Sequence, residues 1–599
     1  MNKPQRIEPA QRAFLGVERS LSGRIWRERA ADVALAEQHR RAQGLPEIAA
    51  RLLAARGVSA EAAAKFLKPT LRDFFPDPST FADMDKAAGA IEDAIVSGRP
   101  TAVFADYDVD GGTSAAQLVR YFRARGRELK IYVPDRIAEG YGPNAGAFEK
   151  LKADGVELVI TVDCGAAAEG PLNAAAEIGL DVIVLDHHLM SGPPPKALAV
   201  VNPNRMDCQS GHGALTAAGV VLVTLAAVNR EARKRGSIGS NDLPNPMDNL
   251  DLSALGTVCD VAPLTGFNRA IVSQGLKVLS KRDNIGLRAL ARNAGRSESV
   301  PSVYDLGFIL GPRINAGGRI GDASLATRLL STSNEAEADE IAAQLEDLNQ
   351  ERRKREAEML EEATAAAFAE TRPVVIVGSH RWHPGVIGIA AGRLKDKVHK
   401  PVIVLGGVAP DEPAKGSGRS VPGVNLGAAV AAAARDGVAL AGGGHAMAAG
   451  LTVAWERVEA LKDFLAEALS SEIEAAGEEG RTLSIDAVGA LGAIDLKLLD
   501  AIDRIGPYGA GHPEPVFAIP DVTVAFSSAL KGGEHVRATL QDARGGKIRA
   551  IAWRVGGTAA GDALLARDRV LHVAAKLKRD TYGGGERAEL EIVDVAAAS

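Results

Sequence analysis

The chain has 599 residues, enough for three or four domains with sizeable cores, and its 46% hydrophobic and 24% charged content is that of a globular protein. A formal net charge of −6 argues against a globally basic surface and avid non-specific DNA binding, while leaving room for a local basic groove. Three scattered cysteines, Cys164, Cys208 and Cys259, cannot form a disulfide framework and fit a reducing compartment.

The N-terminus, with Lys3, Arg6, Glu8 and Arg12, lacks the apolar core of a signal peptide. Residues 1–80 read as a charged helical segment ending at the turn-rich Pro76-Asp77-Pro78-Ser79. From 81 to 330, apolar runs alternate with helical patterns, which predicts an α/β domain around a parallel sheet. Three runs, Thr101–Ala105, Leu158–Val162 and Asp181–Leu185, read as buried strands. The uncharged stretch Ala214–Val228 is shorter than the roughly 18 residues of a membrane span and predicts a buried helix, so a cytoplasmic protein is expected.

Thr332 and Glu335 form a capping-box pattern. The helix expected over 331–371 carries Ile341, Leu345 and Leu348 on one face. At about 1.5 Å per residue it would be roughly 50–60 Å long, a strut between domains with no sustained heptad. A second α/β domain is expected over 372–470. From about 515 the period changes to two, with short strands separated by glycine turns, which predicts a small OB-like barrel within 481–599.

Each of the three buried strands is followed by a polar cluster. They are Asp106-Tyr107-Asp108-Val109-Asp110-Gly111, then Val162-Asp163-Cys164-Gly165, then Asp186-His187-His188; Asp260 is a fourth acidic position. Ligands of an open α/β sheet bind at the carboxyl ends of its strands, so these groups should meet in one cleft. So many carboxylates would repel one another unless divalent cations sat among them, and two ions are expected. Two ions suit in-line attack on a phosphodiester by activating water and stabilising the leaving oxygen.

Residues 106–111 also match the first half of an EF-hand, but the twelfth loop position is Gln117 where a bidentate Glu is required. A plain strand-to-helix turn capped by Thr113 or Ser114 would explain one cluster and leaves the others unexplained. Asp163, on the middle strand, is the candidate bridge between ions. His187 and His188 cannot point the same way from an extended segment, so one is expected on a metal and the other on phosphate or substrate. Cys164 and Cys259 read as small buried residues.

The second α/β domain contains three glycine-rich sites, the first of them Trp382-His383-Pro384-Gly385-Val386-Ile387-Gly388. Lys415-Gly416-Ser417-Gly418-Arg419-Ser420 reads as a loop offering backbone N–H groups, a hydroxyl and a guanidinium to a phosphate, although it lacks the Walker A spacing. Gly442-Gly443-Gly444-His445, read as opening an Ala-rich helix, suits either an anion or close packing.

Asp106–Ser114, Val162–Gly165, Asp186–His188 and Leu255–Leu264 resemble the motifs of the DHH phosphoesterase superfamily. With Gly311–Arg319, Gly416–Ser420, Gly443–His445 and Pro507–Pro515, the chain is similar to the RecJ-type bacterial single-strand-specific exonucleases. The resemblance implies a DHH catalytic domain, a long connecting helix, a DHHA1 domain and an OB-fold. It implies Mn²⁺- or Mg²⁺-dependent 5′→3′ degradation of single-stranded DNA to 5′-mononucleotides in recombinational and mismatch repair. Implied partners are a single-strand-binding protein and a RecQ-type helicase, with a monomeric enzyme and no membrane.

Carried over by motif, the metal ligands are Asp108, Asp110, Asp163, His187 and Asp260, supported by Asp106 and His188. The implied 5′-phosphate pocket uses Ser417 and Arg419 with Arg136 and Arg313, and the substrate set adds Asn315, Gly418, Gly444 and His445. Tyr141 matches an aromatic that gates the entry. Where many DHH enzymes carry a metal-binding His, this chain has Phe104, so Asp106 is expected to compensate. Two alternatives follow: a DHH enzyme for small substrates such as dinucleotides, and a non-catalytic binding relative. The intact acidic clusters and the C-terminal segment favour the nuclease.

Overall fold

The computed structural model describes residues 12–136, 139–190, 192–239, 242–407, 412–477, 481–567, 569–580 and 585–598. The expected helical character of residues 1–11 lies outside them. The chain divides into two compact units, one made of residues 68–354 and 507–513, the other of the remainder.

The N-terminal segment departs from the helical expectation. Alongside helices such as Val33–Gln43 and Glu47–Ala55 it contributes a strand, β1 (Ile25–Glu28), which pairs in parallel with Thr482–Ile485. Trp26 explains the strand: its fully buried indole donates to Asp594 at 2.8 Å, a tertiary partner that local periodicity does not reveal.

In the unit of residues 68–354, strands β2 (Thr101–Ala105), β3 (Lys130–Tyr132), β4 (Leu158–Val162), β5 (Asp181–Leu185) and β6 (Ala199–Val201) form one parallel sheet in the order β3-β2-β4-β5-β6. Alternate residues of each strand enter different cores. Val103, Ile160 and Ile183 join the larger cluster with Leu222 and Leu255, whereas Phe104, Val159 and Val182 join Phe148 and Leu172 on the other face. Covering both faces is why these strands read as continuous apolar runs instead of alternating ones. The sheet register places Ala105, Val162 and Leu185 side by side, so the residues that follow them emerge together at one edge.

The helix Glu335–Ala369 has 35 residues, about 50 Å at 1.5 Å each. Its start differs from the capping-box expectation. Asn334 accepts from the N–H groups of Ala336 and Glu337, while the Thr332 hydroxyl donates to Glu337 at 2.6 Å.

In the other unit, β7 (Val375–Ser379), β8 (Val402–Gly406), β9 (Ala414–Arg419), β10 (Ala441–His445) and β11 (Ala448–Val453) form a mixed sheet in the order β10-β11-β9-β8-β7. The expected Lys415–Ser420 loop is therefore strand β9 with Ser420 just beyond it. Gly442–His445 lies in a hairpin with β11 and opens no helix; the Ala-rich helix Leu426–Arg435 precedes it. Glycine is what lets β10 serve here, since a Cβ on Gly442 would meet Val430 of that helix at 2.7 Å.

After β12 (Thr482–Ile485) come β13 (Ala487–Val488), β14 (Phe517–Leu530), β15 (His535–Gln541), β16 (Lys547–Ala552), β17 (Leu571–Asp580) and β18 (Arg587–Ala597). Pairings β14–β15–β16–β18–β17 return from β17 to β14 and close a five-stranded barrel, as the period-two pattern predicts. Among the described residues no helix is long and apolar enough to cross a membrane.

Candidate metal centre

Each acidic cluster is placed by the element it terminates or begins. Asp108, and not Thr113 or Ser114, caps the helix Val109–Ala124, accepting from the N–H groups of Asp110 at 2.9 Å and Gly111 at 3.1 Å. A Cβ on Gly111 would lie 2.3 Å from the Asp106 carbonyl oxygen, so the tight return from β2 into this helix requires glycine. Asp110 sits one residue into the helix and accepts from the N–H groups of Ala217 at 2.7 Å and Ala218 at 3.1 Å, at the start of the helix Ala217–Arg235. That helix N-terminus holds the carboxylate in place.

Asp163 follows β4 with φ +60°, a left-handed conformation that Asp adopts more readily than most residues and that turns its carboxylate into the cluster. Its Oδ1 lies 3.1 Å from His187 Nε2, and Asp110 and Asp260 each come within 3.8 Å of the same nitrogen. Asp186 orients the histidines: it accepts from the N–H groups of Ala166, His187 and His188 and pairs with His188 Nδ1 at 2.7 Å. Asn204 and Asn202 donate to the carbonyls of His187 and His188. Where diverging rings were expected, the two imidazole centroids lie 4.7 Å apart and a nitrogen of each ring lies within 4.8 Å of an Asp163 oxygen.

Three sets of ligand atoms lie within 4.8 Å of one another: Asp106, Asp108 and Asp163; Asp110, His187 and Asp260; and Asp163, His187 and His188. Neither Cys164 nor Cys259 belongs to them; Cys164 is fully buried. Burial, then the charge of Asp108, raises the Asp106 carboxyl well above the usual range, and the same two causes raise Asp163. Burial and Asp260 raise Asp110, and burial and Asp108 push Asp260 up to about 7. Burial and the neighbouring His188 lower His187 to about 4, which keeps it neutral with a lone pair available. Burial would also lower His188, but its bond to Asp186 overrides this and lifts it to about 9.

The donor set fits divalent cations. Asp106 Oδ1 is buried without a hydrogen bond, and Asp163 Oδ1 faces His187 without hydrogen-bond geometry. Buried carboxylate oxygens left this way are costly unless a positive charge joins them. Phe104 supplies no ligand. It is fully buried, stacked on Tyr132 with ring centroids 5.3 Å apart, and Asp106 takes part in the first ligand set.

The carboxylates open into a cavity of about 310 Å³. Arg136, Tyr141 and Asn315 line it, as does His188. The Tyr141 hydroxyl lies 3.1 Å from the Asp163 carbonyl and 3.2 Å from His188 Nε2, and the residue is 55% exposed. Arg136 stands 5.1 Å above the Tyr107 ring. Arg313 is not among the lining residues: it is buried, donating to Glu346 at 2.5 Å and to the Ile309 carbonyl at 2.7 Å. Arg319, outside the expected substrate set, lines the cavity instead; its place four residues after Asn315 on one helix is the signal that could have found it.

In the mixed sheet, β11 links the other predicted substrate residues. Arg419 is opposite Ala448, which is opposite His445, and Gly418 and Gly444 flank Ala449 in the same way. Ser417, Gly418, Arg419, Gly444 and His445 thus share one end of that sheet. Arg419 Nη1 donates to the Gly418 carbonyl at 2.8 Å and to Ser417 Oγ at 3.3 Å. The basic run Lys576, Lys578 and Arg579 is neutralised within the fold. Glu514 takes Lys576 at 3.1 Å and Lys578 at 2.6 Å, while Asp500, Asp503 and Glu586 surround Arg579 within 2.9 Å.

A parallel sheet carrying clustered carboxylates and an Asp-His-His turn at one edge defines a phosphoesterase of the DHH class, and the DHH family N-terminal domain matches residues 100–257. The DHHA1 domain matches residues 371–471 and the RecJ OB domain residues 485–594. The single-stranded-DNA-specific exonuclease RecJ of Dickeya dadantii is 34% identical over 92% of this chain and 96% of its own length. The chain belongs to the RecJ family. Its structure is similar to that of RecJ from Thermus thermophilus in complex with Mn²⁺, with TM-score 0.78 and 28% identity over 95% of this chain and 79% of that one. The complex of the same protein with Mg²⁺ gives TM-score 0.73 at 26% identity, covering 96% and 78%.

Proposed function

We propose that this chain is a single-stranded-DNA exonuclease that works from the 5′ end and releases 5′-mononucleotides, with Mn²⁺ or Mg²⁺ as its cofactor. The observation that carries the reading is the cluster of Asp106, Asp108, Asp110, Asp163, His187 and Asp260, in which the buried Asp106 and Asp163 each keep one carboxylate oxygen without a hydrogen bond. Asp106, Asp108 and Asp163 would hold one ion, and Asp110, His187 and Asp260 the other. Asp163 also belongs to the set with both histidines, which suits it to bridging. A bound pair of ions supplies water activation and charge stabilisation at the leaving oxygen.

The residues around the cluster do the rest. Asp186 fixes His188 at Nδ1, leaving Nε2 toward Tyr141 and the cavity, where it can donate to a phosphate oxygen. Arg136 and Arg319 bring guanidinium groups and Asn315 an amide to the same space. Ser417 and Arg419, with Gly444 and His445 across β11, supply the 5′-phosphate contact in this reading. We further propose a monomeric, cytoplasmic enzyme of recombinational and mismatch repair, working with a single-strand-binding protein and a RecQ-type helicase.

The test is digestion of 5′- and 3′-labelled single-stranded DNA, duplex DNA and dinucleotides with Mn²⁺, with Mg²⁺ and with chelator. Metal-dependent loss of the 5′ label as mononucleotide from the single strand is expected. Exclusive cleavage of dinucleotides, or release of the 3′ label first, overturns the reading. Arg419→Ala should raise KM and erase any preference for 5′-phosphate over 5′-hydroxyl ends, a contact worth about 1.5–3 kcal/mol. An equal loss on both ends would place Arg419 elsewhere along the strand.

A further inference from the structure

Asp260 occupies an unfavourable place for a carboxylate. It caps the C-terminus of the helix Leu250–Cys259, the negative end of the helix dipole, whereas Asp108 and Asp110 lie at the N-terminus of theirs. It is also exposed, while Asp106, Asp110 and Asp163 are buried. The helix closes through a capping turn in which the Val261 N–H donates to the Val258 carbonyl at 3.2 Å and the Ala262 N–H to the Thr257 carbonyl at 3.1 Å. Such a turn places the residue after the cap in the left-handed conformation, and helices commonly use glycine there. Here the residue is Val261, at φ +58°. A β-branched side chain in that conformation is strained, and Val261 is 70% exposed, so its own burial offsets little of the cost. Strain of this kind persists where the surrounding structure imposes it.

The imposing structure is residues 507–513, the greater part of the Pro507–Pro515 motif. They pack in the same compact unit as the metal-binding sets, although the chain on both sides of them belongs to the other unit. The Ala510 carbonyl accepts from the N–H of the buried Leu264 at 2.8 Å. Two bonds close the turn that presents this carbonyl: Gly509 N–H donates to the His512 carbonyl at 2.9 Å, and His512 N–H to the Gly509 carbonyl at 3.1 Å. The Tyr508 and His512 rings stack with centroids 5.0 Å apart, and the buried Arg269 donates to the Pro507 carbonyl at 3.1 Å. Contact with the Asp260 turn is close. A Cβ on Gly509 would lie 2.7 Å from Leu264 Cδ1, and one on Gly511, at φ +67°, 3.0 Å from Pro263 Cβ. Asn268 adds a donor to the Pro263 carbonyl at 3.2 Å. Val261 is therefore fixed from both sides, by the helix before it and by the docked Pro263 and Leu264 after it.

We propose that residues 507–513 are a brace that holds Asp260 in place for a metal ion, so that the affinity of the set Asp110, His187 and Asp260 depends on them; the inference rests on the two-ion reading of the site. They act through the Asp260 turn and are positioning residues. The set Asp106, Asp108 and Asp163 takes no ligand from that turn and serves as the internal reference.

The experiment uses the full chain, Gly509→Val and Gly511→Ala, each variant alone and combined with Val261→Gly. Mn²⁺ binding is titrated by the paramagnetic resonance of the free ion, without DNA, and cleavage of single-stranded DNA is then followed against Mn²⁺ concentration. Wild type should bind two ions. In each brace variant one ion should weaken roughly ten- to hundredfold, as when a group supporting a metal ligand is lost, while the other keeps its wild-type affinity. Half-maximal cleavage should need correspondingly more Mn²⁺, with kcat at saturation near wild type. Val261→Gly should restore most of the lost affinity, because glycine takes the left-handed conformation without help from the brace. A generally loosened fold would weaken both ions and would not be rescued in this way. Unchanged binding of both ions, equal weakening of both, or absence of rescue overturns the proposal. If Gly509→Val does not fold, the smaller change Gly511→Ala decides by the same criteria. A wild type that binds two ions but cleaves no single strand removes the nuclease reading, and selective loss in the variants still supports the brace. A wild type that binds no second ion overturns the brace.

Discussion

Asp163 is the side chain on which the proposed two-ion site turns. It has a left-handed backbone, a buried carboxylate, and a place in two of the three ligand sets. Asp163→Ala should abolish cleavage while single-strand binding in chelator persists, because in the proposed site this carboxylate would organise both ions. Retention of more than a few per cent of wild-type kcat with Mn²⁺ would deny it the bridge. A second carboxylate, away from the metals, sets a pH dependence of stability. Asp251 is buried at the start of the helix Leu250–Cys259, and burial pushes it up to about 6, above the roughly 3.9 of an unfolded Asp. The folded chain therefore binds this proton more tightly than the unfolded one. Stability falls as pH rises between these values, and the full penalty is present above about 6. Asp251→Asn should stabilise the protein at pH 8 by on the order of 2–3 kcal/mol and have little effect below about pH 4. Denaturant melts at the two pH values measure this, and an equal effect at both would show that ionisation is not the cause.

At the scale of elements, the strands and helices position charge by their ends. The metal-site carboxylates emerge where β2 and β4 stop, and the N-terminus of Ala217–Arg235 receives Asp110. The opposite happens along β17, where Lys576, Lys578 and Arg579 are spent on Glu514, Asp500, Asp503 and Glu586. Replacing all three by Ala should lower the melting temperature of the barrel's unit by a few degrees. Exposed pairs each contribute only up to about 1 kcal/mol. It should leave the salt dependence of single-strand binding as in wild type, because cations already paired release few counterions on binding. A flattened salt slope would mean that these side chains leave their partners for the strand.

At the scale of the molecule, two compact units share one chain, and among the described residues the metal-binding sets lie in only one of them. Divalent ions should therefore raise the stability of that unit selectively. At a hundredfold excess over Kd, binding to the folded state adds about 2.7 kcal/mol. Calorimetric scans with Mn²⁺ and with chelator should show one transition moving upward and the other staying in place. A uniform shift of a single transition would show the two units unfolding as one.

Sequence alone determined the parts of this protein that depend on local order. Buried parallel strands are apolar throughout, so β2, β4 and β5 were legible residue by residue, and so were the acidic clusters that follow them. Period-two alternation with glycine turns announced the barrel. Only the tertiary structure decided what depends on residues distant in the chain. Trp26 forms a strand because Asp594 and Thr482–Ile485 meet it, and Ser417 through Arg419 form a strand because β8 and β11 flank them. Glu346 withdraws Arg313 from the cavity and the neighbouring helical turn brings Arg319 in. A charged side chain's availability is set by the partners that surround it, and a linear pattern does not carry those partners.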